Sequence, residues 1–144
     1  MVGPMPPPPL YVHLPPEAVP PVLPFGEPFR AVVAAEVAVS VTWMSAVSEW
    51  LVRSGCLYAM AWGPQGTNWD NAIDEANLEE HNFGEIPEGK FVMTTWHDNE
   101  PLEEVFWFCK NNAYHSIVAL HRTLLLHISV APTESAFLQS YDAA

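Results

Sequence analysis

A chain of 144 residues is long enough for one domain with one core, and 49% hydrophobic with 12% aromatic residues supplies that core. Seventeen acids against five Lys and Arg give a net charge of −12. This speaks against a nucleic-acid backbone or an anionic membrane surface as partner and for a basic protein, a cation or a small molecule. Prolines break up the N-terminus, no apolar run has the length of a membrane span, and Cys56 and Cys109 lack metal-ligand spacing. A cytosolic protein with buried, reduced thiols is therefore expected.

The chain opens on residues 1–28, which hold 11 of the 15 prolines. They read as an extended, helix-free arm, with room for a short edge strand at 11–14. Residues 29–144 read as a single α/β domain. Arg30–Glu36 is the first strand, apolar along nearly its whole length as a strand covered on both faces would be. Glu36 stands out as an acid at its carboxyl end. Ser40 then suits a helix N-cap, and Trp43, Ala46, Val47, Trp50 and Leu51 form one buried stripe ending at the stop signal Gly55. Cys56–Trp62 is the second strand. Thr67 is placed to cap the next helix, with Asp70 three residues on as a shortened capping box; Trp69, Ala72, Ile73 and Ala76 make its stripe.

Phe91–Trp96 is the third strand, followed by His97, Asp98, Asn99 and Glu100. Pro101 starts a helix whose stripe is Leu102, Val105, Phe106, Cys109 and Ala113. Thr123–Ile128 is the fourth strand, and Thr133 is placed to cap a short final helix. Strands alternating with helices imply a three-layer α/β domain: a mostly parallel sheet of four to five strands with helices on both faces, in a flavodoxin-like or Rossmann-like layout.

Two constellations could carry function. In a parallel sheet, ligands sit outside the carboxyl ends of the strands. That edge would gather Glu36, Trp62, Trp69, Asp70, Trp96, His97 and Asp98, with Thr67 and His127 nearby. Carboxylates, imidazole and indoles there would suit a small-molecule pocket, acid–base work by a Glu36–His97 pair, or, more weakly, a divalent cation. Against this, each acid has a local use at a helix start, and a lone buried His127 is more often a satisfied core residue. No Gly-x-Ser-x-Gly elbow, phosphate loop or dinucleotide fingerprint is present, so neither a catalytic nucleophile nor a cofactor is indicated.

The second constellation is an acidic surface. Residues 69–104 hold 11 of the 17 acids. Glu79, Glu80, Glu103 and Glu104, with Trp107 and Phe108, read as a docking face for a basic protein. Small acidic α/β immunity and antitoxin proteins of bacteria share this composition. A solvated acidic helix with Trp107 in the core would look the same in sequence. A homodimer, through an exchanged proline arm, stays open.

The segments Ser54–Gly63 (Ser-Gly-Cys-Leu-Tyr-Ala-Met-Ala-Trp-Gly) and Phe91–Phe108 (Phe-Val-Met-Thr-Thr-Trp-His-Asp-Asn-Glu-Pro-Leu-Glu-Glu-Val-Phe-Trp-Phe) resemble a bacterial family of small proteins known only as a domain of unknown function. The resemblance spans roughly residues 10–140. It implies one compact domain of bacterial origin and brings no activity or catalytic residue with it. The overall expectation is a binding protein, immunity-like or accessory, with a small enzyme or ligand-binding domain as the alternative.

Overall fold

In the computed structural model, which describes residues 6–144, the apolar runs line up as one parallel sheet. Its strands are β1 (Leu10–His13), β2 (Phe29–Ala35), β3 (Cys56–Trp62), β4 (Met93–His97) and β5 (Arg122–Ile128). Their order is β1-β5-β2-β3-β4. The strands with a neighbour on both edges, β5, β2 and β3, are buried almost throughout, and β2 pairs with β5 on one side and β3 on the other. Helices α1 (Val41–Ser54) and α2 (Gly66–Glu80) cover one face, and α3 (Leu102–Asn111) and α4 (Glu134–Ala143) the other. The expected three-layer α/β arrangement is thus present, with five strands.

Each face has its own core. Val33, Val47, Leu51, Trp69 and Ile73 pack on the α1–α2 side, and Val32, Met60, Val105, Phe106 and Phe137 on the α3–α4 side. Cys56 and Cys109 are buried free thiols in opposite cores, and burial pushes the Cys56 thiol up to about 12. The proline-rich segment between β1 and β2 joins the α1 side. Leu14, Leu23 and Phe25 pack into that core, while the Trp43 and Trp50 indoles donate to the Ala18 and Pro21 carbonyls at 2.9 Å.

Local signals differ in how they are used. Ser40 Oγ accepts from Trp43 N–H at 3.2 Å, and Gly55 closes α1 in the left-handed region at φ 104°, as their spacing predicts. Thr67 does not cap α2: Gln65 holds the N-cap position without a side-chain bond, and Thr67 donates instead to Asp98 Oδ2 at 2.7 Å. Asp70 is not a capping acid either. It lies on the buried stripe of α2 with Trp69, Ile73 and Asn77. Thr133 occupies the N-cap position of α4 without a side-chain cap bond. β4 begins two residues later than predicted because Asn77 takes the backbone at both sides of Phe91: its amide donates to the Lys90 carbonyl and its Oδ1 accepts from Val92 N–H. Gly63, at φ 120°, is required by close approach, since a Cβ there would overlap the Ala35 carbonyl.

No helix among the described residues is long and apolar enough to cross a membrane.

Candidate functional site

The chain leaves β2 toward the α1 face and leaves β5 toward the α4 face, so the sheet's topological switch point lies between the carboxyl ends of these neighbours. Glu36 follows β2 there, its N–H donating to the Ile128 carbonyl at 3.0 Å. The partner of its carboxylate is His127, at 3.1 Å from Nε2, not His97. His127 is fully buried on β5, stacked on Phe137 at 4.0 Å between centroids. Its Nδ1 lies 2.6 Å from the Tyr11 hydroxyl, which accepts from Thr133 N–H at 3.0 Å. The Glu36 carboxylate can only accept, which assigns a proton to Nε2; in the neutral imidazole with that tautomer, Nδ1 accepts from the Tyr11 hydroxyl. His13 completes the cluster by bonding the Ser129 carbonyl at 2.9 Å. Burial, with Glu134 and Glu36 nearby, raises the Tyr11 pKa and keeps the phenol protonated. The arrangement is a relay from Tyr11 through His127 to Glu36, whose side chain is about half exposed (45%).

The remaining strand-end residues form a separate group. β2 and β4 lie two strand spacings apart, about 10 Å, and the Glu36–His97 pair does not form. His97, buried on β4, bonds Thr95 Oγ1 through Nε2 at 2.8 Å and Glu100 Oε1 through Nδ1 at 3.1 Å, with Phe108 edge-on. Trp62 is tied down by its indole N–H donating to the Glu100 carbonyl at 2.7 Å. Trp69 is core, packed edge-on against Trp43. Asp98 serves as acceptor for Thr67. Asp70 is 6% exposed, and its Oδ1 has no hydrogen-bond partner. Burial, then Asp74 and Asp98, push its carboxyl up against the opposing Thr94 hydroxyl. Among the described residues, no three His, Cys, Asp or Glu side chains converge to hold a metal ion. The strand ends thus hold two polar clusters rather than one.

The acidic face divides as well, because α2 and α3 lie on opposite faces of the sheet. Glu79 lines the seam between α1 and α2, and Glu80 pairs with Arg53 at 3.2 Å. Glu103 and Glu104 are exposed on the first turn of α3, and Trp107 is 52% exposed one turn further on, outside the core. Phe108 is half-buried against Tyr58 and His97.

What joins the two sides is β4, which among the described residues pairs with β3 alone and carries Trp96 at 59% exposure. One groove has β4 residues in its wall, and a second lies near the carboxyl end of β4. The first, of about 390 Å³, has Asp74, Leu78, Ile86, Phe91 and Thr94 in its walls; Thr94 Oγ1 donates to Asp74 Oδ1 at 2.8 Å. The other, of about 320 Å³, is formed by Glu100, Glu104, Trp107 and Phe108 of the α3 side. Both combine apolar walls with carboxylates. Sequence patterning passes over Tyr11, Asp74, Thr94 and Glu100. The Tyr11–His127 contact joins residues 116 apart, beyond any local pattern. Asp70 is named among the strand-end candidates, and its burial is also readable, since it falls between Trp69 and Ile73 on the α2 stripe.

No curated protein and no solved structure matches this chain. Residues 9–144, nearly the whole chain, match a family described as a domain of unknown function, DUF7684, and the protein belongs to that family.

Proposed function

We propose that this protein works by binding another protein, and that it does so by accepting an extended, basic segment as a sixth strand along β4. The observation that carries this is the outer edge of β4, where no further strand pairs among the described residues, with one acidic, apolar-walled groove beside it and a second near its carboxyl end. Side chains of an added strand alternate between the two faces of a sheet. Every second residue would enter the Asp74 groove and the intervening ones the Glu100–Glu104 groove, so Lys or Arg on an apolar stem suits both. Trp96 and Trp107 add the exposed aromatic surface typical of recognition sites. Two copies pairing through this edge would bring Asp74, Glu100 and Glu104 of each together, which disfavours a homodimer here. An immunity-like or accessory role in a bacterial system, with a basic partner protein, is the setting this acidity suits.

The test is titration of a peptide of alternating Lys and Val, followed by tryptophan fluorescence. Saturable binding is expected, weakened about tenfold, or ~1.4 kcal/mol, by Asp74→Lys with Glu104→Lys, one change in each groove, because the lysines of an alternating peptide face only one of them. Equal affinity in the double variant, or self-association in place of peptide binding, removes the proposal.

A second reading, a small ligand- or substrate-binding site at the strand ends, is favoured by one observation. The Tyr11–His127–Glu36 relay ends on a half-exposed carboxylate at the switch point.

A further inference from the structure

Acids outnumber Lys and Arg 17 to 5, so every cation would be expected to find a carboxylate. Arg53 and Arg122 do, pairing with Glu80 and Glu27, and Lys90 is exposed to solvent. Arg30 and Lys110 form no ion pair with any carboxylate side chain among the described residues. Residues 1–5 (Met-Val-Gly-Pro-Met) carry no acidic side chain that could supply one. Arg30 is half-buried and donates from Nε to Thr123 Oγ1 at 2.9 Å. The Lys110 ammonium donates to the Tyr141 and Asp142 carbonyls at 3.1 and 3.3 Å and to the Ala144 backbone oxygen at 2.9 Å, and lies 5.2 Å from the Tyr141 ring centroid. A partly desolvated guanidinium without a counter-charge is costly, and an anion from outside relieves that cost.

Both cations line one cavity of about 680 Å³, where β2 and β5 begin. Its volume lies in the range of small-molecule sites. Pro6–Pro9 form one wall, with Thr123, Tyr141 and His121 on the others; among the described residues Asp142 is the sole acid in the lining. Prolines present flat apolar surface and no N–H, so the wall facing the cations does not compete for an anion.

We propose that this cavity binds a small organic anion, a carboxylate or a phosphate monoester on an apolar body. The Arg30 guanidinium anchors the anionic group, because its planar fork of donors matches either acid bidentately. Lys110 adds field rather than a direct bond, since its hydrogens already serve the end of α4. The apolar body lies along the prolines. The site stands on other residues than the β4 edge, so either can fail without the other.

The test is an amide and guanidinium NMR titration of the full chain with benzoate and with inorganic phosphate, against sodium chloride at matched ionic strength. Saturable shifts are expected at Arg30 Nε–H and at the amides of His121 and Thr123, in the millimolar range for at least one anion. Arg30→Gln should weaken binding about tenfold or more. Pro8 is exposed, so Pro8→Glu keeps the core intact while setting a competing carboxylate in the wall; it too should weaken binding if Arg30→Gln fails to fold. Shifts that match those in chloride, that fall elsewhere, or that persist in Pro8→Glu would overturn the proposal.

Discussion

Asp70 has a carboxylate oxygen that no donor reaches, on a side chain 6% exposed, with the Trp69 indole N–H beside it in sequence equally unpartnered. A buried acceptor left unpaired costs stability, more so when it is charged. The same burial raises the pKa of Asp70 and of Asp74 above the ordinary 3.8. A carboxyl that holds its proton more tightly when folded contributes stability below its unfolded pKa and loses it as pH rises through the folded value. At neutral pH, Asp70 is therefore a net cost. Asp70→Asn should be more stable than the parent at pH 7 by about 1 kcal/mol, a rise of roughly 2–4 °C in Tm. The advantage should shrink as pH falls through the raised folded value and be gone once pH is below the ordinary 3.8. Thermal denaturation of both proteins across pH 3–8 checks this. A less stable variant at pH 7 would mean that the orphan oxygen is held by a bound donor or cation.

At the scale of elements, the Tyr11–His127–Glu36 relay spans three strands and a helix. Tyr11 lies on the edge strand β1, His127 on β5 and Glu36 just past β2, while Thr133 starts α4. Phe in place of Tyr11 would keep the ring packed on Phe137 but strand His127 Nδ1 and Thr133 N–H. A cost of about 1–3 kcal/mol is expected for Tyr11→Phe, read as a lower Tm, with faster amide exchange in β1 and at the start of α4. Glu36→Gln leaves an acceptor for Nε2 and should change Tm little. If the relay is a structural tie, that pattern holds; an unchanged Tm in Tyr11→Phe would shift weight to a site at the strand ends. Much at this scale was legible in the sequence. Apolar runs located β2, β3 and β5 within a residue or so, and Ser40 and Gly55 bounded α1, because those signals are local. β4 began late because Asn77, on another element, claimed its backbone. The Glu36–His97 pair was misjudged for a related reason: both ends were placed correctly, but which strands are neighbours depends on the crossover.

At the scale of the molecule, the sequence groups Glu79, Glu80, Glu103, Glu104, Trp107 and Phe108 into one candidate docking face. Glu79 and Glu80 were grouped with Glu103 and Glu104 by their place in the chain, yet the sheet runs between them. Strand order, invisible in one sequence, makes β4 the edge where acids from both faces meet. The net charge of −12 then acts over the whole surface, while the grooves act only at contact. Exposed charges are screened within a Debye length of about 8 Å at physiological ionic strength, so long-range attraction to a basic segment weakens with salt. Apolar contact with Phe91, Trp107 and Phe108 does not weaken in this way. For the alternating Lys–Val peptide, the association rate should therefore fall by about tenfold or more from low to physiological salt. Its dissociation rate should change far less. Stopped-flow tryptophan fluorescence separates the two rates. A salt effect confined to dissociation would mean that the carboxylates act only as contact pairs in the grooves, and a rate indifferent to salt would remove the acidity of this chain from its binding mechanism.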